Sequence, residues 1–237
     1  MDVEKNGKPE PSRREHAPAR PQATGWRARA LMAMGRVYVR GFHRLEVLSP
    51  CPLPKSGPAI LVCNHVSGLD PVLIQSACPR LITWMMAREY YEIAAMRWGF
   101  ETIGAIPVER SGRDLASTRA ALRALKRGEV LGIFPEGRIE TDSELLPFHP
   151  GAAMLAQHSG APVYAAYIDG SQRGMDMLTS FVHAQAAKLT FGGRVSLVNG
   201  SSELSLEAAM ERIRDAVVNL RGRQASVMES GLLAYRG

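Results

Sequence analysis

A histidine and an aspartate five residues apart, in Asn64-His65-Val66-Ser67-Gly68-Leu69-Asp70, are the first residues here whose types and spacing suggest chemistry. They follow residues 59–63, AILVC, an apolar run with buried-strand character. In open α/β sheets, sites gather at the carboxyl ends of strands, which is where this order puts His65. Asp70, starting the next helix, can fold back to accept a hydrogen bond from one imidazole nitrogen. That fixes the tautomer, stabilises the imidazolium and leaves the other nitrogen free as a base. Alone the pair is a weak signal: with six histidines and seven aspartates in 237 positions, roughly 0.2 such spacings arise by chance. The plain alternative is an aspartate capping its helix beside an ordinary loop histidine.

Three further segments follow in order: Ile103-Gly104-Ala105-Ile106-Pro107-Val108-Glu109-Arg110, Ile133-Phe134-Pro135-Glu136-Gly137-Arg138 and Gly160-Ala161-Pro162-Val163-Tyr164. A neutral alcohol is a poor nucleophile, and an oriented imidazole is the kind of base that activates one. Arg110 and Arg138 offer forked donors suited to phosphate oxygens. The alternative for Arg110, beside Glu109, is a surface ion pair of little worth. The alternative for Glu136 is a strand-end residue bonding nearby backbone amides. Cys63 in a buried strand reads as a small hydrophobe rather than a nucleophile, so no covalent intermediate is expected. There is no Gly-x-x-x-x-Gly-Lys, Gly-x-Gly-x-x-Gly, Gly-x-Ser-x-Gly or His-Glu-x-x-His, which removes the usual support for nucleotide, serine-hydrolase and zinc-protease readings.

Asn-His with Asp five beyond, Gly-x-Ile-x-x-x-Arg, Phe-Pro-Glu-Gly and a Pro-Val strand, in this order and with these gaps, strongly resemble the glycerolipid acyltransferase family, the 1-acylglycerol-3-phosphate acyltransferases and their relatives. The resemblance covers about residues 58–200. It implies that His65 is the catalytic base and Asp70 its orienting partner. It implies that Gly104 and Arg110 belong to a block whose arginine holds the acceptor's phosphate, and that Glu136, Gly137 and Arg138 line the same acceptor site. Pro162 falls in a structural or acyl-facing strand. The acyl donor would be acyl-coenzyme A or acyl-carrier protein as co-substrate, with no metal or redox cofactor called for. The acceptor would be a lysophospholipid, 1-acyl-sn-glycerol 3-phosphate first. The commoner third block has a Thr between Gly and Arg that is absent here, which leaves another lysolipid acceptor open. A backbone amide near Gly137 is the guess for the oxyanion donor. The rival reading is a non-catalytic lipid or acyl-carrier binding module, against which the intact His65/Asp70 pair argues.

The elements that must position these residues read as alternating strands and helices. The pattern predicts strands at 59–63, 81–86, 105–108, 130–134 and 162–168, and helices at 70–78, 89–98, 115–127 and 152–158. It adds a hairpin over 189–197 turning at Gly192-Gly193 and a closing helix over 204–220. The implied fold is α/β, a mixed, largely parallel sheet flanked by helices, with an N-terminal amphipathic helix. The domain reading is a disordered basic tail (1–25), an amphipathic membrane-interface helix (26–48) and an acyltransferase domain (49–237). Four prolines and almost no aliphatics make the tail unable to bury a core. From Trp26 to about Val47, Arg29, Arg36, Arg40, His43 and Arg44 fall on one helical side. Leu31, Met34, Tyr38, Phe42 and Leu45 fall on the other. Such a helix can lie in a membrane interface with its arginines toward anionic lipid, or pack on the domain like any surface helix.

Net charge is +6, of which +5 lies in residues 1–50, so a nucleic-acid binder is not expected. Three cysteines without a Cys-x-x-Cys pair argue against a disulfide scaffold or zinc site and suit a reducing compartment. No apolar run reaches the length of a membrane span, and the first 25 residues lack a signal-peptide core. The expected location is cytoplasmic, peripheral on the inner face of the cell membrane.

Overall fold

Five consecutive residues with no polar group beyond one thiol, Ala59–Cys63, are suited only to a sheet interior, and they form β2 with every side chain buried. The structure, a computed structural model, describes residues 25–109, 114–141, 144–172, 174–200 and 202–234. The expected tail, apart from Gly25, lies outside the described residues, as does Arg110. Around β2 stand β1 (Arg44–Val47), β3 (Ile82–Ala87), β4 (Ile106–Val108), β5 (Val130–Ile133), β6 (Val163–Asp169) and β7 (Ala186–Val195). They form one seven-stranded sheet of order β1-β7-β6-β2-β5-β3-β4. Every neighbouring pair is parallel except β6 and β7. A mixed, largely parallel sheet is therefore what the chain makes, and β2 and β6 run side by side near its centre.

Helices cover both faces. Among the described residues there are eight: α1 (Trp26–Phe42), α2 (Asp70–Ala77), α3 (Arg88–Tyr91), α4 (Ala94–Ile103), α5 (Leu115–Lys126), α6 (Gly151–Ser159), α7 (Met177–Val182) and α8 (Leu206–Ala234). On β2, Ile60 and Val62 point to the face packed by α5, α6 and α8, while Ala59, Leu61 and Cys63 point to the face packed by α1 and α2. On α8, Ile213, Val217 and Leu220 are spaced for one helical stripe and are buried. Each is worth about 1.5–3 kcal/mol in removed apolar surface. Among the described residues, no helix is long and apolar enough to cross a membrane.

Five segments depart from the sequence expectation. The helix expected through Val47 stops at Phe42, and Arg44–Val47 becomes the parallel edge strand β1, with Arg44 N–H donating to Gln185 O at 2.7 Å and Leu48 N–H to Leu189 O at 2.9 Å. The helix expected over 89–98 is two, α3 and α4, with an extended Ile93 starting the second. Gly192-Gly193 is not a turn. It lies inside the continuous strand β7, and a Cβ on Gly192 would stand 3.2 Å from Leu220 Cδ1, so the missing side chain lets α8 lie close on the sheet. The closing helix runs on to Ala234, and α7, capped by Asp176, was not expected.

One glycine of the central sheet sets the floor of the site. A Cβ on Gly132 of β5 would fall 2.4 Å from Trp84 Cε3, so Trp84 of β3 lies flat across β5 only because that position is bare. Trp84 is 3% exposed. Gly132→Ala should therefore cost about 1–3 kcal/mol through overpacking, read as a lowered denaturant midpoint with unchanged slope. A variant as stable as the parent would show that Trp84 can move aside.

Candidate active site

β2 delivers Asn64 and His65 from its carboxyl end, and the chain then turns back through Gly68 into α2. Asn64 is buried and ties this end to β6 through both ends of its amide. Its Nδ2 donates to Ile168 O, and its Oδ1 accepts from Ile168 N–H, each at 2.8 Å. A single side chain thus sets the register of the two central strands where the site begins. His65 Nδ1 lies 3.0 Å from Asp70 Oδ2. That oxygen also accepts the N–H groups of Val66 and Ser67, both at 2.8 Å, and Oδ1 accepts Ser171 Oγ–H at 2.8 Å. Asp70 is 0% exposed, and its carboxylate holds the loop rather than capping its own helix. A carboxylate only accepts, so Nδ1 carries the imidazole proton and Nε2 is left as the basic nitrogen.

The imidazole is held on its face as well. It stacks on Phe134 at 4.1 Å between ring centroids, and Phe134 stacks on Trp84 at 4.9 Å, so the bare Gly132 supports His65 through two rings. The side chain of His65 keeps 17% exposure and opens into a cavity of about 1260 Å³. That is larger than the roughly 300–1,000 Å³ of ordinary small-molecule sites. Its walls are apolar, with Met32, Met85, Met96, Phe100 and Ile103 among them, while Glu136, Gly137, Arg138 and His149 are polar or backbone elements on the same lining. Methionine-rich walls suit a flexible hydrocarbon occupant.

The other expected site residues divide. Arg138 is exposed and lines the cavity, with no ion pair to it among the described residues. Gly137 has φ 68°, with the His149 ring where a side chain would sit, and its N–H already donates to Phe134 O at 3.1 Å. The Gly137 amide itself is therefore not free as an oxyanion donor. Glu136 is 3% exposed and turned to the backbone: Oε1 accepts His65 N–H at 2.9 Å and Oε2 accepts Leu146 N–H at 3.0 Å. Burial pushes its carboxyl above the usual range, against the pull of those two amides. It braces the His65 backbone from the cavity lining, with each oxygen taken up by a backbone amide. Gly104 ends α4 in the left-handed conformation at φ 69° and turns the chain into β4. β4 brings Glu109 to the cavity wall, paired with Arg88. Arg110, next in sequence, lies outside the described residues.

Ser171, Phe134 and Trp84 were not legible as site residues. Ser171 stands 101 residues from the aspartate it meets, and Gly170 delivers it at φ 77°, where a Cβ would collide with Ala186 O at 2.4 Å. The same loop clasps the His65 loop by backbone, with Gly68 N–H donating to Met175 O and Gly174 N–H to Val66 O. The one available signal was the Gly170-Ser171 pair just after the strand expected over 162–168.

The family model described as Acyltransferase matches residues 44–169, more than half of the chain. The chain is 29% identical over 126 residues to the 1-acyl-sn-glycerol-3-phosphate acyltransferase of Bacillus subtilis, a stretch covering 53% of this chain and 62% of that protein. It is 30% identical over 142 residues to the protein of the same name from Neisseria gonorrhoeae, covering 59% and 54%. A putative protein of that name from Caenorhabditis elegans is 30% identical over 128 residues, covering 53% and 43%. The matched stretch thus spans less than two thirds of each of these relatives. The crystal structure of the 1-acyl-sn-glycerophosphate acyltransferase from Thermotoga maritima superposes with a TM-score of 0.66 at 21% identity, over 84% of this chain and 80% of that one, and shows a shared fold. The matched residues carry the strand that presents His65, the loop that holds Asp70 and the Phe-Pro-Glu-Gly turn beneath them, and by that match the chain belongs to the acyltransferase family.

Proposed function

We propose that this protein moves a fatty acyl group from acyl-coenzyme A or acyl-carrier protein to the free hydroxyl of a lysophospholipid, with 1-acyl-sn-glycerol 3-phosphate as first acceptor and phosphatidic acid as product. The observation that carries this is the oriented His65–Asp70 pair opening into a large apolar cavity. In the proposed reaction, His65 Nε2 takes the acceptor's hydroxyl proton as the oxygen attacks the thioester carbonyl. The tetrahedral intermediate collapses, the thiolate leaves, and the imidazolium returns a proton to it. Asp70 stabilises the imidazolium without itself taking a proton. Arg138 meets the acceptor's phosphate, as does Arg110 by the role that the resemblance implies. The apolar walls hold acyl chain. No metal or redox cofactor is needed.

Membrane contact is part of the same proposal, because both acceptor and product are bilayer lipids. Trp26, Met34 and Val37 of α1 are 71%, 61% and 72% exposed, and Phe42 is 43% exposed. Arg29, Arg40 and Arg44 are exposed alongside them. Arg36 is different. Its guanidinium donates to Ser76 O at 3.3 Å and Cys78 O at 2.9 Å, the free carbonyls at the end of α2, so it pins α1 to the domain. Tyr38 likewise faces inward and donates to Phe181 O. The protein would sit peripherally on the inner face of the cell membrane.

His65→Ala should lower turnover by about 10²–10⁴-fold while leaving acceptor binding in place, measured as thiol release from acyl-coenzyme A with lysophosphatidic acid. Near-parental activity in a folded variant would end the mechanism. Ser171→Ala leaves Asp70 Oδ1 buried without its donor, a loss of about 1–3 kcal/mol. It should lower kcat and spare the acceptor KM, whereas a pocket-lining role would raise KM. Arg40→Glu with Arg44→Glu should weaken sedimentation with anionic vesicles at low salt, each arginine being worth about 1 kcal/mol. Arg36→Glu should instead lower the melting temperature. Equal vesicle binding before and after the double reversal would place the docking face elsewhere.

A further inference from the structure

The chain has three cysteines, and the fold brings two of them into contact. Cys51, in the proline-rich segment between β1 and β2, has its Sγ 3.3 Å from that of Cys78 at the C-cap of α2. Both thiols are free. Bonded sulfurs stand about 2.05 Å apart, so the pair must close by about 1.2 Å from its present separation. Cys51 sits in a segment with no helix or strand of its own, between Pro50 and Pro52, while Cys78 is anchored at a helix end. The closing motion therefore falls on the linker.

The two sulfurs are unlike in ways that assign them different roles. Cys51 is half-buried and within reach of solvent, while Cys78 is 0% exposed. The hydrogen bond with Cys78 pulls the Cys51 thiol down to about 7, against the opposing effect of burial and with help from the Leu53 amide. The same bond, with burial, pushes Cys78 well above the ordinary thiol range. Cys51, the more acidic and the more accessible of the two, is the attacking thiol, and Cys78 stands directly behind it. Cys63 is a built-in reference, fully buried in β2 with its thiol pushed up by desolvation.

We propose that Cys51 and Cys78 form a reversible thiol–disulfide site, oxidised by low-molecular-weight disulfides of the glutathione class, whose bridge ties the β1–β2 linker to α2. The Cys51 thiolate attacks one sulfur of the external disulfide, forming a mixed disulfide and releasing one thiolate. Cys78 then gives up its proton to solvent and attacks Cys51 Sγ, expelling the second thiolate. Two protein thiols are oxidised, and one external disulfide is reduced to two thiols. The ring so closed contains β2, the His65–Asp70 loop and α2. It closes where Arg36 of α1 already grips the Cys78 carbonyl, so α1, the linker and α2 become fastened at one point. A bridge made and unmade by exchange also accommodates a cysteine content that reads as suited to a reducing compartment.

The experiment treats the full chain with oxidised glutathione at mildly alkaline pH, then counts thiols under denaturing conditions and maps peptides. The expected result is one remaining thiol on Cys63, a mass lower by two hydrogens and a single peptide pair joining Cys51 to Cys78. Dithiothreitol should reverse all three. The bridged form should melt higher by roughly 5–15 °C. Cys78→Ser should stop at a stable glutathione adduct on Cys51. If that variant does not fold, the wild-type map decides alone. Three thiols left free, a lasting adduct on wild-type Cys51, or a bridged form that melts no higher than the reduced one would each overturn the proposal.

Discussion

A carboxylate with no exposed surface must be surrounded by donors, and in this protein Asp70 is that carboxylate. Its four donors come from two stretches of chain: His65, Val66 and Ser67 after β2, and Ser171 after β6. The arrangement requires β2 and β6 to be neighbours, parallel and in register, which they are at Cys63 and Ala166. Asn64 fastens that register by bonding both backbone groups of Ile168. The buried charge and the sheet order are thus two statements of one constraint. A slip of β6 by a residue would turn Ser171 away and leave Asp70 short of a donor in the protein interior.

The histidine beside that charge is held at three points, one on its ring and two on its backbone. Asp70 takes its Nδ1–H, Glu136 takes its backbone N–H, and Glu140 N–H donates to its carbonyl at 2.7 Å. The Phe134 ring covers one face. What is left to His65 is one nitrogen and one direction, toward the cavity. Positioning to this degree is what a general base requires, since a displaced base loses its reach to the proton. The supporting residues are rigid strands, stacked rings and buried carboxylates, while the cavity walls facing them are methionine and aliphatic. A rigidly held imidazole and yielding apolar walls thus share one space.

Family membership and proposed chemistry rest on different ground. The match over residues 44–169 places the chain among acyltransferases. The roles of His65, Asp70, Ser171 and Arg138 rest on the geometry of this chain. Arg36 illustrates why residue type alone misleads. Arginines on one side of a helix suggest a lipid-facing stripe, yet this one meets the free carbonyls at the end of α2, a partner 40 and more residues away in sequence. The cationic stripe that remains is Arg29, Arg40 and Arg44.

By itself, the sequence determined the elements whose signals are local. The apolar run of β2, the helix of α5 and α6 with Gly160 closing it are all readable within a window of a dozen residues. The His65–Asp70 pairing was legible for the same reason, since only four residues of loop separate the two. Tertiary structure alone decided everything that depends on partners far along the chain. Arg44–Val47 is a strand because β7 offers it a free edge. Gly192 stays inside a strand because Leu220 needs its space, and Glu136 serves the backbone because His65 and Leu146 converge on it. Ser171 reaches Asp70, and Cys51 reaches Cys78, only once the sheet has closed. Local pattern reports which backbone shape a segment prefers. Which side chains then meet across the sheet is set by packing and by the need to satisfy each buried polar group, and neither is written in any short stretch of residues.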